Sequence, residues 1–237
     1  PIGRSILGTA ASVTAMDGAT LRRFMATHYR APEMVLAAAG AVDHEALVRL
    51  AAEAFPELGP EREGTLAPAH YRGGDFREPR TLEQVHIALA LPGLTYDDPD
   101  FYAAQVMATV LGGGMSSRLF QEVREKRGLC YSIFAFSSSF VDDGMLGIYA
   151  GTGEGEIAEL VPVICDEILK LAEDASEKEV ARARAQLKAG LLMSLESSSS
   201  RAEQLGRQML IYGRPLGIDE LVESVEAIDA TRVREVG

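Results

Sequence analysis

The sequence predicts an α+β fold in two layers, a mostly antiparallel sheet flanked by helices. Three observations carry this. Gln84 to Leu91 ("QVHIALAL") is an apolar run of strand length, followed closely by a helical pattern. Tyr131–Ser137 and Met145–Gly151 are two further strand-like runs joined through "FVDDG", as in an antiparallel pair. From Glu154 to Glu173 the residues are amphipathic with helical period, and helical text continues beyond them.

Taken in order, Thr20 to Tyr29 ("TLRRFMATHY") sets Leu21, Phe24, Met25 and Tyr29 on one helical stripe, with Thr20 as its cap and Pro32 ending it. Met34 to Gly40 ("MVLAAAG") is continuously apolar and reads as a buried strand. In "VDHEALVRLAAEAF", Asp43 is placed to cap a second helix and Glu45 lies in its first turn. Pro56 to Gly74 is rich in Pro and Gly and has no period, the pattern of a linker; a new compact unit begins near Phe76. "DDPDFYAAQVMATVLGG" is a helix with an Asp/Pro start and a Gly stop, and Ser116 to Lys126 is another. Ser176-x-x-Glu179 is a capping box opening a long helix; the serines at 197–200 interrupt it, and "RAEQLGRQMLIYG" resumes with Gly213 as C-cap. The last stretch, from Gly217, is helical. Its end, "DATRVREVG" at 229–237, has the texture of "DGATLRRFM" at 17–25, a weak repeat that suggests two related domains.

At 237 residues, 47% apolar and 24% charged, the composition is that of a globular protein with one large or two smaller domains. A net charge of −12 argues against a nucleic-acid partner and suits cationic ligands. Apolar runs such as "VLAAAGAV" fall well short of the roughly 20 residues a membrane span needs, so no membrane partner is expected. No signal-peptide pattern is visible at Pro1. Cys130 and Cys165, without a C-x-x-C, fit a reducing compartment, and a cytoplasmic location is expected.

The glycines of "LGGGMSSRLFQEVREKRGLCYSI" (111–133) invite a phosphate-loop reading, but no Lys follows them, and they come after a helix rather than a strand. The structural reading is that Gly112–Gly114 ends one helix and Ser116 or Ser117 caps the next. His28, His44, His70 and His86 are widely spaced, with neither H-E-x-x-H nor H-x-x-E-H, so no metal ligands are assigned within the chain. What remains is Arg124 at a helix end and Tyr131 at a strand start, where one turn around Gly128 can aim both into one cleft. A guanidinium can hold a peptide carbonyl, and a phenol O–H can donate to a developing oxyanion. Each also has an ordinary reading: an ion pair with Glu122 or Glu125 for Arg124, and a core aromatic for Tyr131.

The wording of this stretch, with "GMLGIYAGTG", resembles the second domain of insulinase-type zinc metallopeptidases, above all the bacterial relatives of the mitochondrial processing peptidase. "PIGRSILGT", "HYRAPEMVLAAAGAVDHEALV", "QVHIAL", "ARAQLKAGLLMSLES" and "RAEQLGRQ" carry the likeness over essentially the whole chain. The resemblance implies a ferredoxin-like, duplicated architecture: two homologous domains facing each other around a chamber. Zinc is held in the first domain through H-x-x-E-H and a later Glu, upstream of the segment matching Pro1. On this basis residues 1–58 are the tail of the first domain, 59–75 a linker, and 76–237 the zinc-free second domain without its last strand. No cofactor is then expected in this chain, and zinc is expected in the full-length parent.

The family's active-site Arg and Tyr fall on Arg124, for substrate binding, and Tyr131, for catalysis. The implied partners are a peptide or unfolded-protein substrate, basic by charge complementarity, the zinc domain, and a second copy of the chain. The implied function is zinc-dependent peptide-bond hydrolysis by the parent, with this part inactive alone. The alternative is a non-catalytic structural or substrate-binding subunit of a processing-peptidase-like complex.

Overall fold

The computed structural model describes residues 3–56, 58–59 and 67–237. In chain order they form α1 (Ala10–Thr14), α2 (Gly18–His28), a 3-10 turn (Ala31–Glu33), α3 (His44–Ala54), β1 (Val85–Pro92) and α4 (Phe101–Gly112). A π-helix (Phe120–Glu125), β2 (Ser132–Ser139) and β3 (Gly144–Thr152) follow, then α5 (Ile157–Asp174), α6 (Glu177–Ser194), α7 (Ser198–Tyr212), α8 (Ile218–Glu226) and α9 (Ala230–Val236). The chain divides into two compact units, Pro1–Ala69 with Met193–Pro215, and His70–Leu192 with Leu216–Gly237.

The second unit is built on an antiparallel sheet in the order β1-β3-β2. The hairpin read from the sequence is present, with Ser132 opposite Gly151 and Ser139 opposite Gly144, and β1 pairs with the other edge of β3. One face of this sheet bears Ile133, Ala135, Leu146, Ile148 and Ala150, buried in one cluster with Val106 and Leu111 of α4, Leu160 and Ile164 of α5 and Val233 of α9. Alternation along β2 therefore sends Phe134 and Phe136 to the opposite, open face.

Helix α4 lies on β2, and their closest approach is at Gly112: a Cβ there would stand 2.3 Å from the Ala135 backbone nitrogen. Gly112 thus ends α4 and also lets the helix touch the strand. Gly112→Ala is expected to destabilise the chain by about 1–3 kcal/mol, because neither backbone can retreat without opening the core. A thermal melt should show this as a loss of roughly 2–4 °C for each kcal/mol; an unchanged Tm would contradict the close packing.

The expected capping box forms at the start of α6: Ser176 N donates to Glu179 Oε2 (2.9 Å) and Ser176 Oγ donates to the same oxygen (2.6 Å). Ser197 caps α7 through Ser200 N, and Gly213 ends it in the left-handed conformation at φ 67°.

The first unit differs from expectation in three ways. Asp17, not Thr20, caps α2, because the Asp17 carboxylate accepts from Thr20 N at 2.7 Å. The short helix α1, closed by the Thr9–Ser12 pair, had no periodic signal long enough to read. Residues 34–40 are neither strand nor buried; Leu36 is 59% exposed. A strand exists only by its ladder, and among the described residues no strand pairs with this run. The expected linker, 59–75, falls partly outside the described residues, at 60–66; residues 67–75 form neither helix nor strand.

Candidate active site

The segment after α4 is held by side chains from α6. Gln186 Nε2 donates to Gly113 O (2.6 Å) and Arg182 Nη2 donates to Ser116 O (2.8 Å). Ser117 caps nothing: its hydroxyl donates back to Gly114 O (2.6 Å). Arg118 then anchors the next turn, donating through Nε to Glu179 Oε1 (2.8 Å) and through Nη1 to Asp174 Oδ1 (2.7 Å). Partial burial alone would raise the Glu179 pKa, but hydrogen bonds from Arg118 and Ser176 outweigh it and hold the carboxyl down at about 2.

From Phe120 the chain winds as a π-helix, with Lys126 N donating to Gln121 O five residues back (3.0 Å). Leu129 N donates to Val123 O (3.0 Å) and closes it, and Gly128 turns the chain at φ 65°, a conformation that favours glycine. Strand β3 then fixes the emerging chain: Tyr131 N donates to Gly151 O (2.9 Å) and Thr152 Oγ1 donates to Leu129 O (2.5 Å). The result joins the two residues singled out in the sequence. The Arg124 guanidinium carbon lies 4.6 Å from the Phe120 ring centroid and 5.8 Å from that of Tyr131.

Both ordinary readings of the pair fail. Glu122 is ion-paired with Lys126, and among the described residues Arg124 makes no ion pair, although the chain carries 35 acidic residues. Its charge is held by aromatic faces, which leave the guanidinium N–H groups free to donate. Tyr131 is 73% exposed and is no core residue. Burial pushes the neighbouring Cys130 thiol up in pKa, against the opposing field of Arg124. The arrangement offers a fixed cation and a phenol hydroxyl on one rim, suited to polarising or holding carbonyl oxygen.

Phe120 escaped the sequence reading, though it stands four residues before Arg124, the spacing that brings side chains together on a helix. Gln186 and Arg182 carried no local signal, since their targets are carbonyls some 70 residues away. No group of three or more His, Cys, Asp and Glu among the described residues could hold a metal ion. His86 is engaged otherwise, its Nδ1 lying 2.7 Å from Tyr149 Oη. No described helix is long and apolar enough to cross a membrane.

Fold and site together define a helix-backed sheet domain with an adjoining arginine and exposed tyrosine and with no metal-ligand cluster among its described residues. The pattern defining the Peptidase M16 inactive domain matches residues 15–187, and the chain belongs to that peptidase family. It is 36% identical over 245 residues to an uncharacterized zinc protease of Streptomyces coelicolor, covering 99% of this chain and 53% of that protein. It is 37% identical over 251 residues to a probable mitochondrial-processing peptidase subunit beta of Arabidopsis thaliana, covering 100% of this chain and 47% of that one.

Among solved structures, the peptidase M16 inactive domain from Pseudomonas fluorescens superposes with a TM-score of 0.80 at 25% identity, covering 98% of this chain and 56% of that one. A chain of complex III2 from Candida albicans superposes with a TM-score of 0.82 at 26% identity, covering 97% of this chain and 57% of that one. The chain spans about half the length of the curated relatives it matches. The zinc in the name of the Streptomyces relative finds no ligand set among the residues described here.

Proposed function

We propose that this chain is the zinc-free half of a zinc-dependent metalloendopeptidase and supplies Arg124 and Tyr131 to peptide-bond hydrolysis. The observation that carries this reading is the unpaired Arg124 guanidinium, held on Phe120 beside the exposed Tyr131. The metal and its attacking water belong to residues outside this chain, in the part of the relatives that the chain does not span.

Arg124 donates to a backbone carbonyl of the bound peptide and fixes the substrate's register. Tyr131 donates its phenol O–H to the carbonyl oxygen as that oxygen becomes an anion in the tetrahedral intermediate. β3 fixes the Tyr131 backbone through the bond from its N–H to Gly151 O, so the residue stands in place before the charge develops. The net charge of −12 favours basic peptides as substrates.

The likeness to a chain of complex III2 supports a second reading, a structural or substrate-binding subunit without peptidase activity. A zinc-supplemented assay on fluorogenic peptides separates the two. The 237-residue chain should be inactive and the full-length protein active and chelator-sensitive. Cleavage by the chain alone overturns the division of labour, and an inactive full-length protein favours the second reading.

A further inference from the structure

Leu129 is the joint between Arg124 and Tyr131. Residues 128–131 belong to neither the π-helix nor β2, so regular structure alone does not set how the two side chains stand to each other. Leu129 N donates to Val123 O (3.0 Å), which ties the joint to the turn that carries Arg124. Leu129 O accepts from Thr152 Oγ1 (2.5 Å), which ties it to β3. Thr152 stands one position past the Ser132–Gly151 pair, where the ladder between β2 and β3 ends. It is 2% exposed and lies on the core face of the sheet, two residues on from Ala150. Its hydroxyl thus reaches past the end of the ladder to a carbonyl of a buried residue, where water is a poor substitute as donor.

We propose that Thr152 is a positioning residue for the hydrolysis, setting where the Tyr131 phenol stands relative to the carbonyl held by Arg124. This rests on the reading of Arg124 and Tyr131 as the reacting rim. Tyr131 is 73% exposed, so its ring is placed by its backbone more than by packing. That backbone is bonded to β3 on either side of Cys130, from Tyr131 N to Gly151 O (2.9 Å) and from Thr152 Oγ1 to Leu129 O. The first bond is main chain to main chain, and changing a side chain does not remove it. The second depends on one hydroxyl. Without it Leu129 O is left without its donor, and the segment shifts to find another. A displacement of about 1 Å at a reacting group can cost ~10²-fold in rate. Arg124, seated on Phe120 at 4.6 Å, is not moved by the same loss.

The test measures kcat and KM of the full-length protein on one fluorogenic peptide, with every variant assayed well below its own Tm. The set is Thr152→Val, Thr152→Ser, Tyr131→Phe, and Thr152→Val combined with Tyr131→Phe. Valine keeps the branched shape that suits a strand and removes the donor. Thr152→Val is expected to lower kcat by about 10- to 100-fold while KM changes by less than about threefold. Thr152→Ser keeps the donor and should hold kcat within about threefold of wild type. In the Tyr131→Phe background, the valine substitution should lower kcat by less than about twofold more, because the phenol it misplaces is already gone. Equal slowing in both backgrounds marks a threonine that merely stabilises the fold, and it overturns the proposal. A Thr152→Val protein with wild-type kcat does so as well. An unchanged kcat in Tyr131→Phe overturns the reading of the rim itself, and that failure is seen in a variant that leaves Thr152 intact.

Discussion

Tyr131→Phe in the full-length protein is expected to lower kcat on the order of 10²–10³-fold, the measured worth of one oxyanion donor, while KM changes by less than about threefold. The substitution removes one oxygen and leaves the ring, so the contact with Arg124, 5.8 Å from the Tyr131 ring centroid, is preserved. The backbone bond from Tyr131 N to Gly151 O also survives, and with it the strand start. A residue 73% exposed contributes little to the core, so a loss of activity cannot be assigned to unfolding. Steady-state kinetics on one peptide, with a melt of the variant as control, decides it. An unchanged kcat removes Tyr131 from the chemistry.

Arg118→Leu is expected to destabilise the 237-residue chain by about 2–4 kcal/mol in urea titration. Removing one member of a fully buried pair costs about 3–5 kcal/mol, and an exposed pair contributes about 0–1 kcal/mol. Arg118 and Glu179 are 12% and 21% exposed in their side chains, near the buried limit, whereas Asp174 at 65% keeps its water. The variant leaves the Glu179 carboxylate half-buried with only Ser176 as a donor.

The same pair sets an acid dependence. Glu179 is depressed to about 2 in the fold from an ordinary 4.5, so its contribution is fully present above pH 4.5 and is lost as pH falls through about 2. In Arg118→Leu that part of the acid loss should be smaller. A variant as stable as wild type at pH 7 would show the network to be idle. Because Arg118 anchors the turn that enters the π-helix, the full-length variant should lose activity as well.

The hairpin, the helices of the second unit and two caps were legible because each rests on local spacing: alternation on β2 and β3, Ser176 with Glu179, and Gly213 just past the last periodic residue of α7. The run at 34–40 was misread because apolarity alone does not supply a pairing partner. Arg124 and Tyr131 were visible as residue types, but their ordinary alternatives could be removed only by contacts. The ion pair that would have made Arg124 dull goes to Lys126 instead, and Tyr131 points to solvent where a core residue would be buried. Gly112 looked like punctuation, and its contact with Ala135 is long-range and leaves no mark in neighbouring residues. The text from Ser116 to Lys126 predicts an ordinary helix, and nothing in it marks the π winding in which Lys126 N reaches Gln121 O five residues back.

The claim that this chain binds the peptide through Arg124 and acts on the intermediate through Tyr131 is tested most directly by a binding titration. A peptide analogue whose scissile amide is replaced by an uncleavable methylene-amine is titrated into the full-length protein, and Kd is read by fluorescence anisotropy. Arg124→Leu should raise Kd by about 10- to 100-fold, the loss of a hydrogen bond from a charged donor, while Tyr131→Phe should leave Kd within about twofold because no oxyanion forms. An Arg124→Leu protein that binds as tightly as wild type would contradict the account.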